Sequence, residues 1–387
     1  MNILIFNTYR LEAKGGPSGY LYNLNQYYKS LKKNNSFKIT FLNFYDLDKG
    51  LILIFEKILL KLFSILRMDN LYILILIFRN NRKMKKIINF DKFDIIHFHS
   101  TIELKKNINN LKNYKGKVIL TSHSPELSSE EVLKSLNLKV SKIILEIFKK
   151  YDYDAFERSD YIIFPCLESM EPYQKDIKML EILKHKKIKF IPTGILEENF
   201  KKDQNYFYNN YNIPKNAFIV SFVGRHNKIK GYDLAKEFAE VILKEYKDVY
   251  FVIAGKKSND IKPLNNSHWI EIGWTNEGKK IIGNSHLYIL PNRETYFDLV
   301  FLEALSMNSS ILCSYTGGNK FFKKYNSRNI IFFSNFEEMV FSFKKYYEEN
   351  KIDLKNNKNK TIFKENFSME RFYKKYIEIL NEIKNEG

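Results

Sequence analysis

Two cations stand directly after an apolar run in the second half of the chain. In the stretch SFVGRHNKIKGYDL (221–234), Gly224 ends the run, Arg225 follows it, and Lys230 comes five residues later. The Arg guanidinium offers a planar fork of donors for phosphate and the Lys ammonium offers a point charge. A helix that begins just after Lys230 would also present free N–H groups to an anion. The stretch predicts a diphosphate clamp, although two solvated surface cations would have the same spacing.

A carboxylate lies inside a second apolar segment. In PNRETYFDLVFLEALS (291–306), Glu303 stands among residues that a helix would turn toward the core. A carboxylate in such a place is costly unless it is paired or hydrogen-bonded. Two interpretations stay open: Glu303 lies at the polar edge of its helix, or it accepts hydrogen bonds from the two hydroxyls of a ribose.

Three histidines lie at the ends of strand-like runs: His97 and His99 in DIIHFH, and His123 in KVILTSH. In an alternating strand His97 and His99 point to the same face. They either line a binding cleft or satisfy hydrogen bonds in the core.

The apolar runs that must position these residues fall into two sets. Each set has six short runs rich in Ile, Val, Phe and Tyr with helix-length segments between them, the pattern of a parallel sheet. The first set lies at 2–7, 37–44, 94–99, 117–123, 161–166 and 187–194. The second lies at 217–224, 249–255, 268–273, 286–291, 309–314 and 329–334. The fold class is therefore α/β, with two doubly wound, Rossmann-like domains.

The domain boundaries follow from where this periodicity is lost. We place an N-terminal domain at 1–194, a second domain at 195–366, and a last helix at 367–387 that packs back on the first domain. Ligands of open α/β sheets bind outside the carboxyl ends of the strands. A central cleft between two facing domains is the expected site.

The motifs together resemble glycosyltransferase family 4, retaining enzymes of the GT-B fold that use nucleotide-sugar donors. The resemblance lies in FVGRHNKIKG, in LPNRETYFDLVFLEALS some seventy residues later, and in TGGN (316–319). Further landmarks are GGPSGYLYNL (15–24), TSHSPE (121–126) and the closing FSMERFYKKYIEIL. The resemblance therefore runs nearly from end to end of the chain.

The resemblance implies a role for each matching residue. The catalytic set would be His123, which faces the donor sugar, together with Arg225, Lys230 and Glu294. Donor binding would use Gly224, Arg225, Lys230 and Glu303, the last holding the ribose, with a glycine loop after the first strand. The remaining donor contacts would be Gly15, Gly16, Thr295, Tyr296, Phe297, Asp298 and Leu299. On the acceptor side would be His99 and Glu126, although Glu126 also fits a surface position at a helix start.

The chain departs from the family pattern at two positions. The family's two glutamates are separated by seven residues, so the first would fall on Thr295, while Glu294 lies one residue earlier. Either a bulge lets Glu294 reach the sugar or Thr295 does so with a neutral hydroxyl. Asp298 stands where the family has glycine, and an aspartate beside a diphosphate is repulsive unless it points at sugar hydroxyls.

Composition narrows the chemistry and the partners. Lys and Arg number 63 against 44 Asp and Glu, a formal charge of +19, which favours anionic partners. Only Cys166 and Cys313 occur, both inside apolar runs, which predicts buried free thiols and a reducing, cytoplasmic location. Neither a metal-binding spacing nor a nucleic-acid motif occurs, so we expect no metal, no other cofactor and no nucleic acid partner.

Residues 51–90 depart from the alternating order. Their apolar runs are interrupted by charges and do not reach the roughly 18 residues that a membrane span needs. Two amphipathic helices with a basic tail (Arg79, Arg82, Lys83, Lys85, Lys86) would bind an anionic membrane surface, and a pair of core-packed helices fits equally well. The first interpretation would place the protein at the inner face of the cytoplasmic membrane.

The expected function is transfer of a sugar from a nucleotide-sugar donor to a glycan or lipid-linked acceptor in bacterial surface polysaccharide synthesis. One alternative keeps the fold and makes the protein a sugar-nucleotide epimerase or hydrolase. A more distant one is a non-enzymatic basic module for membrane or nucleic acid.

Overall fold

Twelve strands make two separate parallel sheets in the part of the chain that the structure describes. The structure, a computed structural model, describes residues 1–7, 11–12, 16–31, 37–43, 51–81, 88–257, 261–350 and 357–386. One unit consists of Met1–Pro192 with Tyr373–Gly387, and the other of Thr193–Phe372. The sequence places these two boundaries at 194 and 366.

The strands agree closely with the runs in the sequence. The first unit has β1 (Asn2–Asn7), β2 (Lys38–Asn43), β3 (Ile95–Phe98), β4 (Lys117–Leu120), β5 (Tyr161–Phe164) and β6 (Lys187–Phe190). The second has β7 (Phe218–Val223), β8 (Val249–Ala254), β9 (Trp269–Gly273), β10 (Leu287–Leu290), β11 (Ile311–Ser314) and β12 (Ile330–Phe333). The α/β class with two six-stranded sheets is therefore as predicted.

Helices connect the strands in both units. In the first half of the chain these are α1 (Pro17–Ser30), α2 (Leu51–Ile65), α3 (Asp69–Asn81), α4 (Thr101–Asn107), α5 (Ser128–Ser135), α6 (Lys142–Arg158), α7 (Glu171–Gln174) and α8 (Ile177–Lys184). The later ones are α9 (Tyr206–Tyr211), α10 (Tyr232–Glu245), α11 (Gly278–Asn284), α12 (Leu299–Ser306), α13 (Phe336–Asn350), α14 (Asn359–Asn366) and α15 (Met369–Asn385).

The strands form because helices bury both faces of each sheet. Every residue of β3, β5, β10 and β11 is buried, which explains continuous apolar runs rather than an alternation with polar residues. Strand β6 is an edge strand and is largely exposed. Its Lys189 pairs with Glu382 and Glu386 of the C-terminal segment, at 3.1 Å each. Charges on an edge strand oppose pairing with another chain.

The strand order fixes where each sheet is open to a ligand. The first sheet has the order β2-β1-β3-β4-β5-β6 and the second has β12-β11-β10-β7-β8-β9. The order reverses beside β1 and β3 in the first sheet and beside β7 and β10 in the second. Ligands of such sheets bind at the carboxyl ends of the strands at this reversal point. The residues after β3 and β7 that the sequence singles out stand there.

The segment 51–81 forms the two helices α2 and α3, which have one buried side. Leu60, Ile73, Leu76 and Ile77 pack against Phe148 and other residues of a shared apolar cluster. Part of the segment is therefore core, as one of the two interpretations of the sequence required. None of the helices among the described residues is long and apolar enough to cross a membrane.

Candidate active site

Arg225 stands at the end of β7, where the second sheet reverses its order. The chain leaves the sheet at Gly224, whose N–H donates to the carbonyl of Ala254 at 2.9 Å. The Arg225 side chain is exposed, and the described residues provide no ion-pair partner for it. A guanidinium in this position is accessible to an anion.

Lys230 is held by a carboxylate. Its ammonium donates to both oxygens of Asp298, at 2.9 and 2.8 Å, and its backbone N–H donates to Asn227 at 2.9 Å. Asp298 also accepts a hydrogen bond from Asn292. The Lys230 side chain is only 22% exposed and that of Asp298 only 16%. Asp298 thus avoids repulsion in this site by pairing with a cation, an arrangement that the sequence did not suggest.

Two glycine motifs bring three loops into contact at this end of the sheet. Gly231 has φ +68°, and a Cβ there would overlap the carbonyl oxygen of Pro291. Gly317 has φ +43°, and a Cβ there would overlap the carbonyl oxygen of Thr295. Glycine is required at both positions because the backbones approach so closely and because φ is positive. The loops after β7 and β11 therefore both pack on the loop after β10.

The loop after β10 contains most of the predicted sugar contacts. Glu294 and Tyr296 are partly buried, whereas Thr295 is only 5% exposed. Phe297 is buried against Phe321 and Phe322. Leu299 then begins α12, with Asp298 at the N-cap position. Phe297 thus anchors the loop on the segment that follows β11, and within the loop Glu294 is more accessible than Thr295.

Glu303 lies on α12 beside a lysine that the sequence analysis missed. Its carboxylate is 3.7 Å from the ammonium of Lys279, which also contacts Glu198. Burial raises the pKa of Glu303 to about 7, in spite of the opposing charge on Lys279. Lys279 stands on α11, and only the fold brings it to α12.

In the first unit the three histidines form one cluster at the carboxyl ends of β3 and β4. His99 Nδ1 lies 2.7 Å from His123 Nε2. His97 Nδ1 lies 2.8 Å from the Tyr376 hydroxyl and His97 Nε2 lies 2.9 Å from the hydroxyl of Thr121. The rings of His97 and His99 are 4.0 Å apart between centroids. The two do share a face, as the alternation predicts.

The cluster is kept neutral by its surroundings. Burial lowers the pKa of His123 to about 3 and lowers that of His99 well below its ordinary value. The ring of Tyr20, on α1, packs on His123 with 4.7 Å between centroids. His123 also has φ +59°, a conformation that a residue other than glycine adopts only when its surroundings hold it there. The position of this ring is therefore strongly constrained.

The other predicted residues of the first unit differ in their surroundings. Gly16 is the N-cap of α1 at φ +73°, with Pro17 as the first helical residue. Gly15 lies outside the described residues. Glu126 is buried and pairs with Lys134. The pairing favours a structural role for Glu126 just before α5, but the expected surface position is wrong, because the side chain is buried.

Arg293 is a further residue that the sequence analysis did not single out. It makes two hydrogen bonds to Asp233, at 2.6 and 2.9 Å, and one to the carbonyl of Lys228 at 2.7 Å. These bonds tie the loop after β10 to the start of α10. In the sequence, Arg293 is marked only by its place three residues after the buried strand β10. That place does not reveal Asp233 as its partner.

Neither unit contains a cluster of acidic, His and Cys side chains that could hold a metal ion, as far as the described residues show. Cys166 and Cys313 are free and buried, which confirms the prediction of two buried free thiols. The second unit instead offers two cations, a helix N-terminus and a carboxylate at one end of a sheet. This set can hold an anion together with a ligand that carries hydroxyl groups.

Comparison with known proteins bears on both the fold and the site. Residues 217–340 match the family model described as Glycosyl transferases group 1. This range contains Arg225, Lys230, Glu294 and Glu303. No curated protein matches the chain.

Several solved structures match over nearly the full length of the chain. Sucrose-phosphate synthase from Thermosynechococcus elongatus matches with TM-score 0.68 at 12% identity and covers 100% of both chains. Anabaena HepE, determined with UDP and glucose, matches with TM-score 0.64 at 12% identity, covering 99% of this chain and 100% of that one. An E. coli structure described as trehalose-6-phosphate bound with UDP-2-fluoro glucose matches with TM-score 0.60 at 12% identity and covers 99% of each chain. The fold is that of the GT-B glycosyltransferases, which confirms the predicted class.

Proposed function

We propose that this glycosyltransferase, whose residues 217–340 match the group 1 family, transfers a sugar from a nucleotide-sugar donor to a glycan or lipid-linked acceptor. The observation that carries the proposal is the pair Arg225 and Lys230 at the reversal point of the second sheet. One of these cations is exposed and the other stands beside the N-terminus of α12. The solved relatives determined with UDP or UDP-sugars support the choice of donor class.

Each part of the donor is assigned to a chemically matching group. Arg225 and Lys230 bind the diphosphate, with Gly224 and the backbone N–H groups of residues 296–299 around it. Glu303 accepts from the ribose hydroxyls. Because cations already balance the phosphate charge, we propose that transfer requires no metal ion.

The sugar itself is assigned to Glu294 rather than to Thr295. Glu294 is partly exposed, whereas Thr295 is buried and its carbonyl accepts from the N–H of Gly318 at 3.2 Å. A carboxylate also has two charged acceptor oxygens, one for each of two neighbouring hydroxyls, whereas threonine has a single neutral hydroxyl oxygen. We also assign Gly16, at the N-cap of α1, to the donor, together with Gly15, which lies outside the described residues.

The chemistry that we propose retains the configuration of the sugar. The acceptor hydroxyl attacks the anomeric carbon on the face that the leaving group occupies, and the bond from that carbon to the phosphate oxygen breaks. The hydroxyl proton passes to the departing phosphate. Arg225 and Lys230 stabilise the negative charge that grows on the phosphate, and His123 positions the sugar as a neutral hydrogen-bonding group.

The first unit would then serve the acceptor. His99 lies directly beside His123 and is the better acceptor-side candidate, since Glu126 is occupied by Lys134. We propose an acceptor that belongs to a bacterial surface polysaccharide or glycoconjugate, in the cytoplasm or at the inner face of the membrane.

The test of the donor is a thermal-shift panel of UDP-, GDP- and CMP-sugars, in which a bound ligand raises the melting temperature. We expect one donor class to stabilise the wild type and to have no effect on Arg225→Ala. Stabilisation of that variant to the wild-type extent would contradict the assignment. Incubation of the bound donor without acceptor separates the alternatives, because free sugar or an epimer would indicate a hydrolase or an epimerase.

A membrane location is supported by the outer side of α2 and α3. Lys61 and Arg67 are exposed, and they lie among seven exposed large apolar side chains: Ile58, Leu62, Ile65, Leu66, Met68, Leu71 and Leu74. Apolar side chains flanked by cations suit the interface of an anionic bilayer. The basic tail predicted at 79–86 lies outside the residues whose side chains are described.

Flotation with vesicles tests this location. We expect the wild type to float with phosphatidylglycerol vesicles and an Ile58→Ser/Ile65→Ser variant to remain unbound. Phe341→Ser is the matched control, because Phe341 is equally exposed (69%) but lies on α13 of the other unit. Equal flotation of all three proteins would refute the proposed surface. Binding that is lost steeply with salt and needs no apolar residue would instead indicate a basic module.

A further inference from the structure

The ion pair between Lys230 and Asp298 stands where the proposed function requires an anion. Asp298 is at the N-cap of α12, so its carboxylate lies at the end of a helix that favours negative charge. Two of the three N–H donors of Lys230 point at its oxygens. A carboxylate of the protein itself therefore occupies the lysine, while the Asp298 side chain makes no capping hydrogen bond to the helix.

We propose that Asp298 is an internal competitor of the donor diphosphate, so that this residue sets the affinity of the site for nucleotide. The proposal rests on the proposed function, because it takes the diphosphate as the ligand of Lys230. A phosphate oxygen that approaches Lys230 must either displace the Asp298 carboxylate from the ammonium or share the ammonium with it. The carboxylate therefore weakens nucleotide binding and favours release of the nucleoside diphosphate after transfer.

The surroundings of the pair make this competition strong. Both side chains are largely shielded from water. A shielded charge pair interacts more strongly than a pair on an open surface. Asn292 also donates to Asp298 and holds the carboxylate in place. Arg225 differs, since it is exposed and no described carboxylate pairs with it. The clamp thus contains one available cation and one that is already engaged.

The same geometry explains why an aspartate is tolerated beside a bound diphosphate. When Lys230 turns toward the phosphate, Asp298 still accepts from Asn292 and lies at the α12 N-terminus. Its charge is then stabilised by these dipoles rather than by the lysine. Removal of the Asp298 charge should therefore strengthen ligand binding more than it lowers the stability of the protein.

The experiment compares Asp298→Asn with the wild type by calorimetric titration of UDP, GDP and CDP. Asparagine keeps the size of the side chain and removes the repulsive charge. We expect the Kd of the bound nucleotide to fall roughly tenfold or more, the scale set by one charge at contact distance. Inhibition of transfer by the same nucleoside diphosphate should become stronger by the same factor.

The control is Glu240→Gln, which removes one negative charge from an exposed site on α10 of the same unit. We expect less than a twofold change for this variant, so that net charge is separated from the local effect. Asp298→Ser is the second variant, in case asparagine perturbs the fold, and it should also bind nucleotide more tightly.

The possible results are distinguishable. If the wild type binds a nucleotide and both Asp298 variants bind it equally or more weakly, Asp298 positions Lys230 and the competitor proposal is wrong, while the proposed function stands. If neither the wild type nor the variants bind any nucleotide, the proposed function and the inference both fail. Binding that only the Asp298 variants show would support the inference directly.

Discussion

The two units place chemistry at the same point of similar sheets but with opposite electrostatics. In the second unit the reversal point beside β7 and β10 carries the charged side chains of Arg225, Lys230 and Asp298, together with the Glu303 carboxyl, whose pKa burial raises to about 7. In the first unit the reversal point beside β1 and β3 carries three histidines whose pKa values are lowered, of which His97 and His99 are buried and His123 is half-buried. One site can balance charge, whereas the other can only orient hydrogen bonds.

This difference explains why one unit is easier to interpret from sequence than the other. A charged residue that follows a strand is visible in the sequence, and the family match falls within the second unit. A neutral histidine gives no comparable signal, because its role depends on which ring atoms meet. The comparison predicts that substitutions in the second unit change nucleotide affinity, and that substitutions in the first unit change turnover alone.

The largest expected effect comes from Lys230→Ala compared with His123→Ala. Loss of the lysine leaves Asp298 unpaired beside the diphosphate, so we expect nucleotide affinity to fall roughly 100-fold or more. His123→Ala should leave nucleoside diphosphate affinity within about twofold and lower kcat strongly, because a neutral ring makes no contribution to phosphate binding. Calorimetry and initial rates measure the two effects. Equal loss of nucleotide affinity in both variants would contradict the division between the units.

A second prediction compares two glycines that both have positive φ. Alanine at Gly231 would overlap the carbonyl of Pro291 and also adopt a left-handed conformation, so we expect a loss of about 3 kcal/mol or more in unfolding free energy. Gly16 has open space around it, but its φ of +73° and ψ of −155° lie in a region that is essentially restricted to glycine, so alanine there should cost about 2 kcal/mol from backbone strain alone, less than at Gly231. Urea unfolding measures both. Similar losses would show that the loop contact at Pro291 is not tight.

The strands and the two units were predictable because they depend on local pattern. Runs such as YIIF at β5 and LYIL at β10 are apolar throughout, and only a sheet covered on both faces requires that. The prediction of two helices at 51–90 holds for 51–81 for a similar reason, since their apolar spacing suits a helix with one buried side. Local pattern also identified the cations that follow β7.

The pairing within each site was not predictable. Lys230 meets Asp298 across 68 residues, and His97 meets Tyr376 across 279. Such partners depend on strand order and helix packing, which no local spacing encodes. Lys279 was missed for the same reason, because it reaches Glu303 only through the packing of α11 on α12. The family pattern marked Asp298 as unusual but gave no hint that a lysine holds it.

A third prediction addresses the hydrogen bond between His99 and His123. The amide of asparagine takes the place of a histidine Nδ1, whereas that of glutamine takes the place of Nε2. Since Nδ1 of His99 makes the contact, His99→Asn should keep kcat within about threefold and His99→Gln should lower it roughly tenfold, as for other positioning partners. Nucleotide affinity should be unchanged in both. Equal kcat values would exclude a role of this bond in holding His123.

The smallest expected effect concerns the ionisation of Glu303. Burial raises its pKa from 4.5 to about 7, so the folded protein binds this proton more tightly than the unfolded chain. The stabilising contribution is complete below about pH 4.5 and is lost as pH rises to about 7.

Ligand binding should have the opposite trend, because the ionised carboxylate accepts two ribose hydroxyls and the protonated form does not. Affinity for the nucleotide-sugar that the thermal-shift panel identifies, whose diphosphate does not titrate in this range, should therefore increase a few-fold between pH 6 and pH 8. Glu303→Gln should bind more weakly at both pH values and show no such increase. If Glu303→Gln showed the same increase in affinity with pH as the wild type, the titrating group would lie elsewhere, and Glu303 would not bind the ribose.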